Sequence, residues 1–534
     1  MRILIAALLA SAAFPAPAAP TDAQAAAIFA DLKPDAPGCA ASAIQDGKVI
    51  WAGGFGSADI EKKRPITPDT VFNIASDSKQ FTAFSILLLE ADGKLKLDDP
   101  IRKYLPELGA YADPITIRHL IHHTGGLRDY MFFAVLDGIP TSQKMTEQQA
   151  IDYVFAQDGA EFPAGSEHSY SNTGYLLLSV IVERVTGGSN KRFVESRILQ
   201  PLGMTASSVV DSYPDGIAAL SRAYARDGDG WKIDESLWEN TGDGQVHTTV
   251  KDIAAWIGNL ADGRVGGPAL VARMRQDGTL NDGSTLDYAY GVGLGSYRGT
   301  PAVSHSGGWA GYNSHLLWLP ERGFGAAVFC NAYGLDPGGR TERLADLFLG
   351  AKLEPAGPSV PAKLIAEAKL PLSQVEPGTY ASASGGTITI AREGDATLLL
   401  RGEERIPLKP VASPAAGNVF ATATDEGPEY FAATAPGRIA MEGMTLNRLE
   451  PWKPADPTRY AGEYGAPMIR GRIRITAKDG TLGVDIGGEK SALTPIGPET
   501  FRVGDWNGTM TFQPDGNGVV YSSARGLVFR RVGG

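Results

Sequence analysis

The densest chemical signal in the chain is Ser76-Asp77-Ser78-Lys79. It follows a strand-like segment, Thr70-Val71-Phe72, and opens an apolar run from Phe81 to Leu89 that reads as a buried helix. Lys79 then stands one turn from Ser76 on the same helix face. A serine hydroxyl is a poor nucleophile until a base takes its proton. A lysine desolvated by apolar neighbours can give up its charge and serve as that base. Backbone N–H groups at the helix N-terminus would face a developing oxyanion. The competing reading is an N-cap serine beside a surface lysine. Ser76 is the only serine with a lysine three residues on, yet so short a pattern needs partners.

Two further groups could supply them. Tyr170-Ser171-Asn172 is the only Tyr-x-Asn in the chain. A tyrosine beside a lysine can shuttle a proton, and an asparagine can hold a lysine and a substrate amide at once. His305-Ser306-Gly307-Gly308 continues a predicted strand, Pro301 to His305, and the two glycines would let a substrate backbone lie against its edge. His123-Thr124-Gly125 repeats the His-x-Gly pattern, but His305 follows Tyr170 and precedes two more strands. His119, His122 and His123 cluster on one predicted helix. No further ligands lie near them in the sequence, which favours packing and hydrogen bonding over a metal site. No cofactor is implied by this set.

The elements that must position these residues occupy the first two thirds of a 534-residue chain. Strands are predicted at Cys39 to Ile44, Val49 to Phe55, Ser314 to Leu319 and Gly325 to Cys330, and a buried helix over Thr173 to Val185. Residues 1–18 read as a secretory signal: Arg2, an apolar Ile3 to Ala13, then Ala16-Pro17-Ala18. That run is too short to span a bilayer, and no cysteine follows it to carry a lipid. The expectation is a periplasmic or secreted protein without a membrane anchor. The net charge of −11 argues against nucleic acid as a partner and allows neutral or cationic small substrates. A homodimer stays open.

Composition shifts after Gly350. Residues 351–370 read as a proline-marked linker, and alternating strand-like segments follow to the end. Pro377-Gly378-Thr379-Tyr380 matches Ala461-Gly462-Glu463-Tyr464, and each copy ends in an apolar strand with a basic tail. Two β-barrel-like domains, 371–453 and 454–534, fit this repeat, with one larger β-domain as the alternative.

Ser-x-x-Lys, then Tyr-x-Asn, then a strand bearing His-x-Gly, in this order, resembles the penicillin-recognising serine hydrolases. These include class C β-lactamases, DD-peptidases, related esterases and D-aminopeptidases. Ile115 to Leu120, His123 to Leu127, and Gly242-Asp243-Gly244 with Thr248-Thr249 also resemble family landmarks. The resemblance spans a catalytic domain over residues 22–350. It implies an α/β fold of helices packed on a five-stranded antiparallel sheet. It also implies that Ser76 forms an acyl-enzyme, that Lys79 and Tyr170 move protons, and that the N–H groups of Ser76 and Gly308 form the oxyanion hole.

β-Lactamases and DD-peptidases usually carry lysine where this chain has His305, and a largely neutral histidine holds a substrate carboxylate poorly. This resembles the D-aminopeptidase and esterase branches. D-Aminopeptidases also carry two C-terminal β-barrels, and a loop of the last one helps recognise the substrate amine. Glu499 and Asp505 are the candidate carboxylates for that task, beside Ser306 and Gly307 as substrate-binding residues. The expected function is therefore a serine hydrolase of small amides or short peptides, foremost a D-stereospecific aminopeptidase. The alternatives are an esterase or weak β-lactamase/DD-peptidase, and a non-catalytic binder of cell-wall fragments. In the family's sheet the strands of Cys39 and Cys330 are antiparallel neighbours. The two cysteines are thus either bridged or, as the favoured reading, buried free thiols.

Overall fold

The computed structural model describes residues 20–534 except 214–215, 218, 356–359, 361, 383–386, 402–403, 412–416, 425–426, 442–443, 451, 467–468, 505–507, 516, 522–526 and 533–534. The stretch read as a signal sequence lies outside the described residues. A central antiparallel sheet is built from β1 (Cys39–Gln45), β2 (Lys48–Phe55), β3 (Gly293–Tyr297), β4 (Thr300–Trp309), β5 (Tyr312–Leu319) and β6 (Phe324–Cys330). Their order is β3-β4-β5-β6-β1-β2, so the chain's first hairpin closes onto its last strand. The sheet has six strands where five were expected. The extra one, β3, reads Gly-Leu-Gly-Ser-Tyr, and its glycines leave too little apolar alternation to mark a strand.

Both faces of the sheet are covered. Side chains alternate across β1: Cys39, Ala41 and Ala43 pack with Leu344 and Ala345, whereas Ala40 and Ile44 join the main helical core. The first face is roofed by the C-terminal helix of this domain, Pro337–Leu349. On the second face lie α1 (Lys79–Ala91), α2 (Ile117–Ile121), α3 (Tyr130–Leu136), α4 (Glu147–Phe155) and α5 (Asn172–Thr186). Helix α1 is buried from Lys79 to Leu89, which is why its sequence from Phe81 on is apolar apart from the small hydroxyls of Thr82 and Ser85 and shows no charged stripe. Phe81 and Phe84 pack on Trp256 with ring centroids 4.5 and 5.4 Å apart, and Trp256 Nε1 donates to Gln80 Oε1 at 3.0 Å.

Two closed eight-stranded antiparallel barrels follow, the first from Gly378–Ser382 to Met444–Arg448, the second from Gly462–Gly465 to Leu527–Arg531. The sequence repeat marks the seam where each barrel closes. Tyr380 pairs with Arg448 and Tyr464 with Arg531 across first and last strands. Each tyrosine hydroxyl donates to the carbonyl four residues back, Glu376 at 2.7 Å and Tyr460 at 2.8 Å. Closure removes the free edges that would otherwise invite aggregation. The stretch read as linker contains a short helix, Ala362–Glu367, because Leu364 packs on Val419, Ala432 and Ala440 of the first barrel.

Cys39 and Cys330 face each other in register between β1 and β6 and are bridged, with Cα atoms 4.0 Å apart. The favoured sequence reading of two free thiols is therefore corrected: sheet register, not chain distance, brings the two thiols together. The bridge closes a loop across 291 positions. In the chain-entropy picture such a loop contributes roughly 5 kcal/mol by restricting the unfolded chain. We expect no free thiol on titration of unreduced, denatured protein. Replacing both cysteines by serine should lower the unfolding midpoint of the catalytic domain.

Candidate active site

Ser76 sits on a single 3₁₀ turn, Ala75–Ser78, that runs directly into α1. The entry into that turn is constrained. Ala75 adopts a left-handed φ of 48°, uncommon for a residue with a side chain. It is held there by Asn73, whose Oδ1 accepts from Ala75 N at 2.7 Å and whose Nδ2 donates to Gln245 at 3.0 Å. His123 and Gln245 also have positive φ, 55° and 73°. Such conformations persist where surrounding contacts over-determine them, typically at functional sites.

The Lys79 side chain is fully buried and donates to three oxygens from three segments. These are Ser76 Oγ at 3.0 Å, Asn172 Oδ1 at 2.8 Å and the Asp243 carbonyl at 2.7 Å. Three acceptors match the three N–H donors of an ammonium head. The Tyr170 ring lies beside it, its centroid 5.0 Å from Lys79 Nζ. The expected set of Ser76, Lys79, Tyr170 and Asn172 is thus gathered at one place. Ser76, Asn172 and Gly308 line one cleft of about 400 Å³.

Strand β4 forms one wall of it. Strand β3 pairs only with residues 300–304, so from His305 onward that edge of β4 is open toward the cleft. A Cβ at Gly307 would lie 2.2 Å from the Ile74 carbonyl, so glycine is what lets the strand approach the nucleophile turn. Alternation turns the Ser306 side chain to the opposite, exposed face, away from His305 and Gly307. The Ser306 carbonyl is what serves the site, lying 2.7 Å from His305 Nδ1.

His305 is neutral: burial, then the nearby Lys79 charge, pushes its imidazole down to about 3. A carbonyl can only accept, so Nδ1 carries the proton, and Nε2 accepts from the Tyr288 hydroxyl at 3.1 Å. Asp77 Oδ1 lies 4.0 Å from His305 Nδ1, but burial holds this carboxyl well above the usual range. With the imidazole uncharged, the two do not form an ion pair. Ser314 Oγ donates to Asp77 Oδ2 at 2.7 Å and also lies within donating distance, 2.9 Å, of the Ile74 carbonyl, so the strand β5 hydroxyl ties the carboxyl to the nucleophile turn.

Several residues that complete the site escaped the sequence reading. Asp129 caps α3 by accepting from Met131 N at 2.9 Å, and accepts from Asn172 N and Nδ2 at 2.7 and 2.9 Å. Asp243 accepts from Tyr130 at 2.8 Å and Asn240 at 3.1 Å; burial raises its carboxyl to about 6 against the opposing pull of Lys79. Of these only Gly242-Asp243-Gly244 carried a sequence signal. The other carboxylate lies far from its partner in the chain. His123 accepts from Ser171 N at 3.1 Å and stacks at 4.2 Å on Tyr170, so it braces the tyrosine. His119 accepts from Thr116 N at 3.1 Å and caps α2.

The tail candidates fall elsewhere. Glu499 is ion-paired with Arg459 and accepts from the Tyr460 hydroxyl at 2.8 Å, so a basic neighbour in its own barrel consumes its charge. Asp505 lies outside the described residues. The barrel instead presents Glu489 near the cleft, in a second pocket of about 970 Å³ that it shares with Asp129, Met131 and Asn172.

The loop carrying Asp243 is tied down by Glu147, whose Oε1 accepts from Thr241 N at 3.1 Å and Oγ1 at 3.2 Å. Burial, reinforced by Glu183, lifts the Glu147 carboxyl to about 7. Its folded pKa lies above its unfolded value, so the neutral form favours folding. Stability from this group is present below about 4.5 and is lost as pH rises through 7. Glu147→Gln keeps the accepting oxygen. It should make the domain more stable than wild type at pH 8, on the order of 1–3 kcal/mol, with the difference vanishing near pH 4. Denaturant unfolding at the two pH values checks this.

The β-lactamase family model matches residues 21–351. Penicillin-binding protein 4* of Bacillus subtilis (strain 168) is 33% identical over 293 residues, 52% of this chain and 64% of that protein. D-Aminopeptidase of Gluconobacter oxydans (strain 621H) is 28% identical over 298 residues, 55% of this chain and 56% of that protein. The chain thus spans about three fifths of these relatives' lengths. Among solved structures, the octameric penicillin-binding protein homologue from Pyrococcus abyssi is 26% identical with a TM-score of 0.56, over 77% of this chain and 96% of that one. D-Amino acid amidase from Ochrobactrum anthropi SV3, at 24% identity and a TM-score of 0.54 over 62% of this chain and 99% of that one, shows the shared fold. With the family match spanning well over half its length and the Ser76–Lys79–Asn172 cluster assembled on the fold, the chain belongs to the β-lactamase family.

Proposed function

We propose that the protein is a serine hydrolase that works through an acyl-enzyme on Ser76. Its substrates are small amides or short peptides bearing an N-terminal D-residue. The observation that carries the reading is the Lys79 amine, buried and 3.0 Å from Ser76 Oγ, beside the Tyr170 ring. In this reading Ser76 Oγ attacks the substrate carbonyl carbon. Its proton moves through Lys79 and Tyr170 to the leaving nitrogen as the amide bond breaks. The N–H groups of Ser76 and Gly308 hold the oxyanion. Water then cleaves the Ser76 ester, releasing the acid and restoring the hydroxyl. Asn172 orients Lys79 and is itself fixed by Asp129.

Preference for an amine over a carboxylate is supported by charge. A neutral His305 offers no cation to a substrate carboxylate, and the carboxylates Asp129 and Glu489 line the adjoining pocket. The likeness to a D-aminopeptidase agrees with this. Export to an oxidising compartment is part of the same proposal, supported by the leader-like residues 1–18 and the Cys39–Cys330 bridge.

Ser76→Ala should lower turnover by several orders of magnitude. Intact-mass analysis after a slow acylating inhibitor should place one adduct on Ser76. A panel of D- and L-alanine p-nitroanilides, a p-nitrophenyl ester and a chromogenic cephalosporin separates the activities. The D-anilide should be cleaved fastest relative to its mirror image. Equal cleavage of both anilides would remove the D-specific reading, and an adduct elsewhere would remove Ser76.

A further inference from the structure

Among the described residues, the second barrel meets the catalytic domain at the end that carries the Gly487-Gly488 turn. Register places Leu482 opposite Leu493, Val484 opposite Ser491 and Ile486 opposite Glu489, so these pairs share the inner face and climb toward one rim. Leu482, Leu493 and Val484 belong to the barrel core, whereas Ser491 is half-buried and Glu489 exposed. Helix α3 lies across this rim. Phe133 and Leu136 enter the barrel core, the Phe132 ring lies tilted 5.6 Å from that of Tyr521, and Gly471 N donates to Asp137 at 2.7 Å. Glycines at the seam permit the contact: a Cβ at Gly487 would lie 2.5 Å from the Val135 carbonyl, and one at Gly471 only 2.0 Å from that of Leu136.

Docking leaves the pocket of about 970 Å³ between Phe132 and Val135 on one side and Val484, Ile486 and Val503 on the other. Val135 stays 46% exposed at its mouth. Met131 and Asn172 line both this pocket and the Ser76 cleft, so the two adjoin. The charged residues at its rim, Asp129 and Glu489, are both acidic.

We propose that this barrel mouth is a binding pocket for an apolar chain or ring carried by the substrate, entered from the Ser76 cleft. The walls are aliphatic and aromatic, and the shared Met131 and Asn172 set the pocket beside the nucleophile cleft. The acidic rim favours occupants that are neutral or cationic and disfavours anions. The proposal rests on the reading of Ser76 as the acylated residue only for the identity of the occupant as substrate.

Octylamine titrated calorimetrically into the full-length Ser76→Ala protein tests the pocket without chemistry. It should bind, octanoate should bind at least tenfold more weakly, and Ser491→Trp and Val135→Trp should each weaken octylamine binding at least tenfold. These two substitutions fill the pocket from opposite walls at half-buried and exposed positions, and thermal melts verify that each variant folds. In the Ser76-containing protein the kcat/KM ratio of p-nitrophenyl octanoate to acetate should fall at least tenfold in both variants. Octylamine binding that is absent, or equal in all three proteins, overturns the pocket, as does an unchanged ester ratio. If neither ester is turned over but binding still responds to both variants, the pocket stands and the acyl-enzyme reading falls.

Discussion

Burying the amine of Lys79 is the constraint on which the catalytic domain depends. A charged or strongly polar head placed out of water without partners is costly, and removing one partner of such a group is more damaging than never having built it. This chain meets the cost with three oxygens drawn from the nucleophile turn, the start of α5 and the Asp243 loop. Each of those segments is fixed in turn: the turn by Asn73, α5 by Asp129, and the loop by Tyr130, Asn240 and Glu147. The helical core therefore converges on one nitrogen atom. The buried carboxylates around it follow from the same constraint, since they hold the donors and acceptors that hold Lys79.

The second feature of the site is how little charge faces the cleft from β4. His305 and Asp77 approach within 4.0 Å, a distance at which an ion pair would be read from geometry alone. Burial decides otherwise, because it keeps the imidazole neutral and pushes the Asp77 carboxyl upward, leaving no cation for the carboxyl to pair with. The imidazole then acts as a fixed dipole with assigned donor and acceptor ends, and Tyr288 and the Ser306 carbonyl set its orientation.

Helix α3 joins this machinery to the tail. At seven residues it is short, yet its cap Asp129 holds Asn172, its Tyr130 holds Asp243, and its Phe133 and Leu136 are buried in the second barrel. A shift of the barrel would be felt at the Lys79 amine through one helix. That arrangement gives the barrel a structural stake in the active site apart from any contact with substrate.

Much of this was legible in the residues. Ser76, Lys79, Tyr170 and Asn172 stand out because nucleophile chemistry demands rare pairs at short spacing. The apolar runs of α1 and β6 reveal burial on all sides, and the repeated Gly-x-Tyr marks the start of each barrel. Other features carried no local mark. The glycine-rich β3 hides its pairing, and Ser306 points away from the cleft because a strand alternates. Glu499 is consumed by Arg459, whereas Glu489, which looks like any exposed turn carboxylate in the sequence, lines the pocket. The Cys39–Cys330 bridge, the Asp129–Asn172 bond and the neutral state of His305 depend on partners tens to hundreds of positions away. Sequence alone determined the types and local spacing of the reacting groups, because one helical turn suffices to set them. Tertiary structure decided which charges survive and which carboxylate meets the cleft, because burial and long-range register are properties of the folded chain.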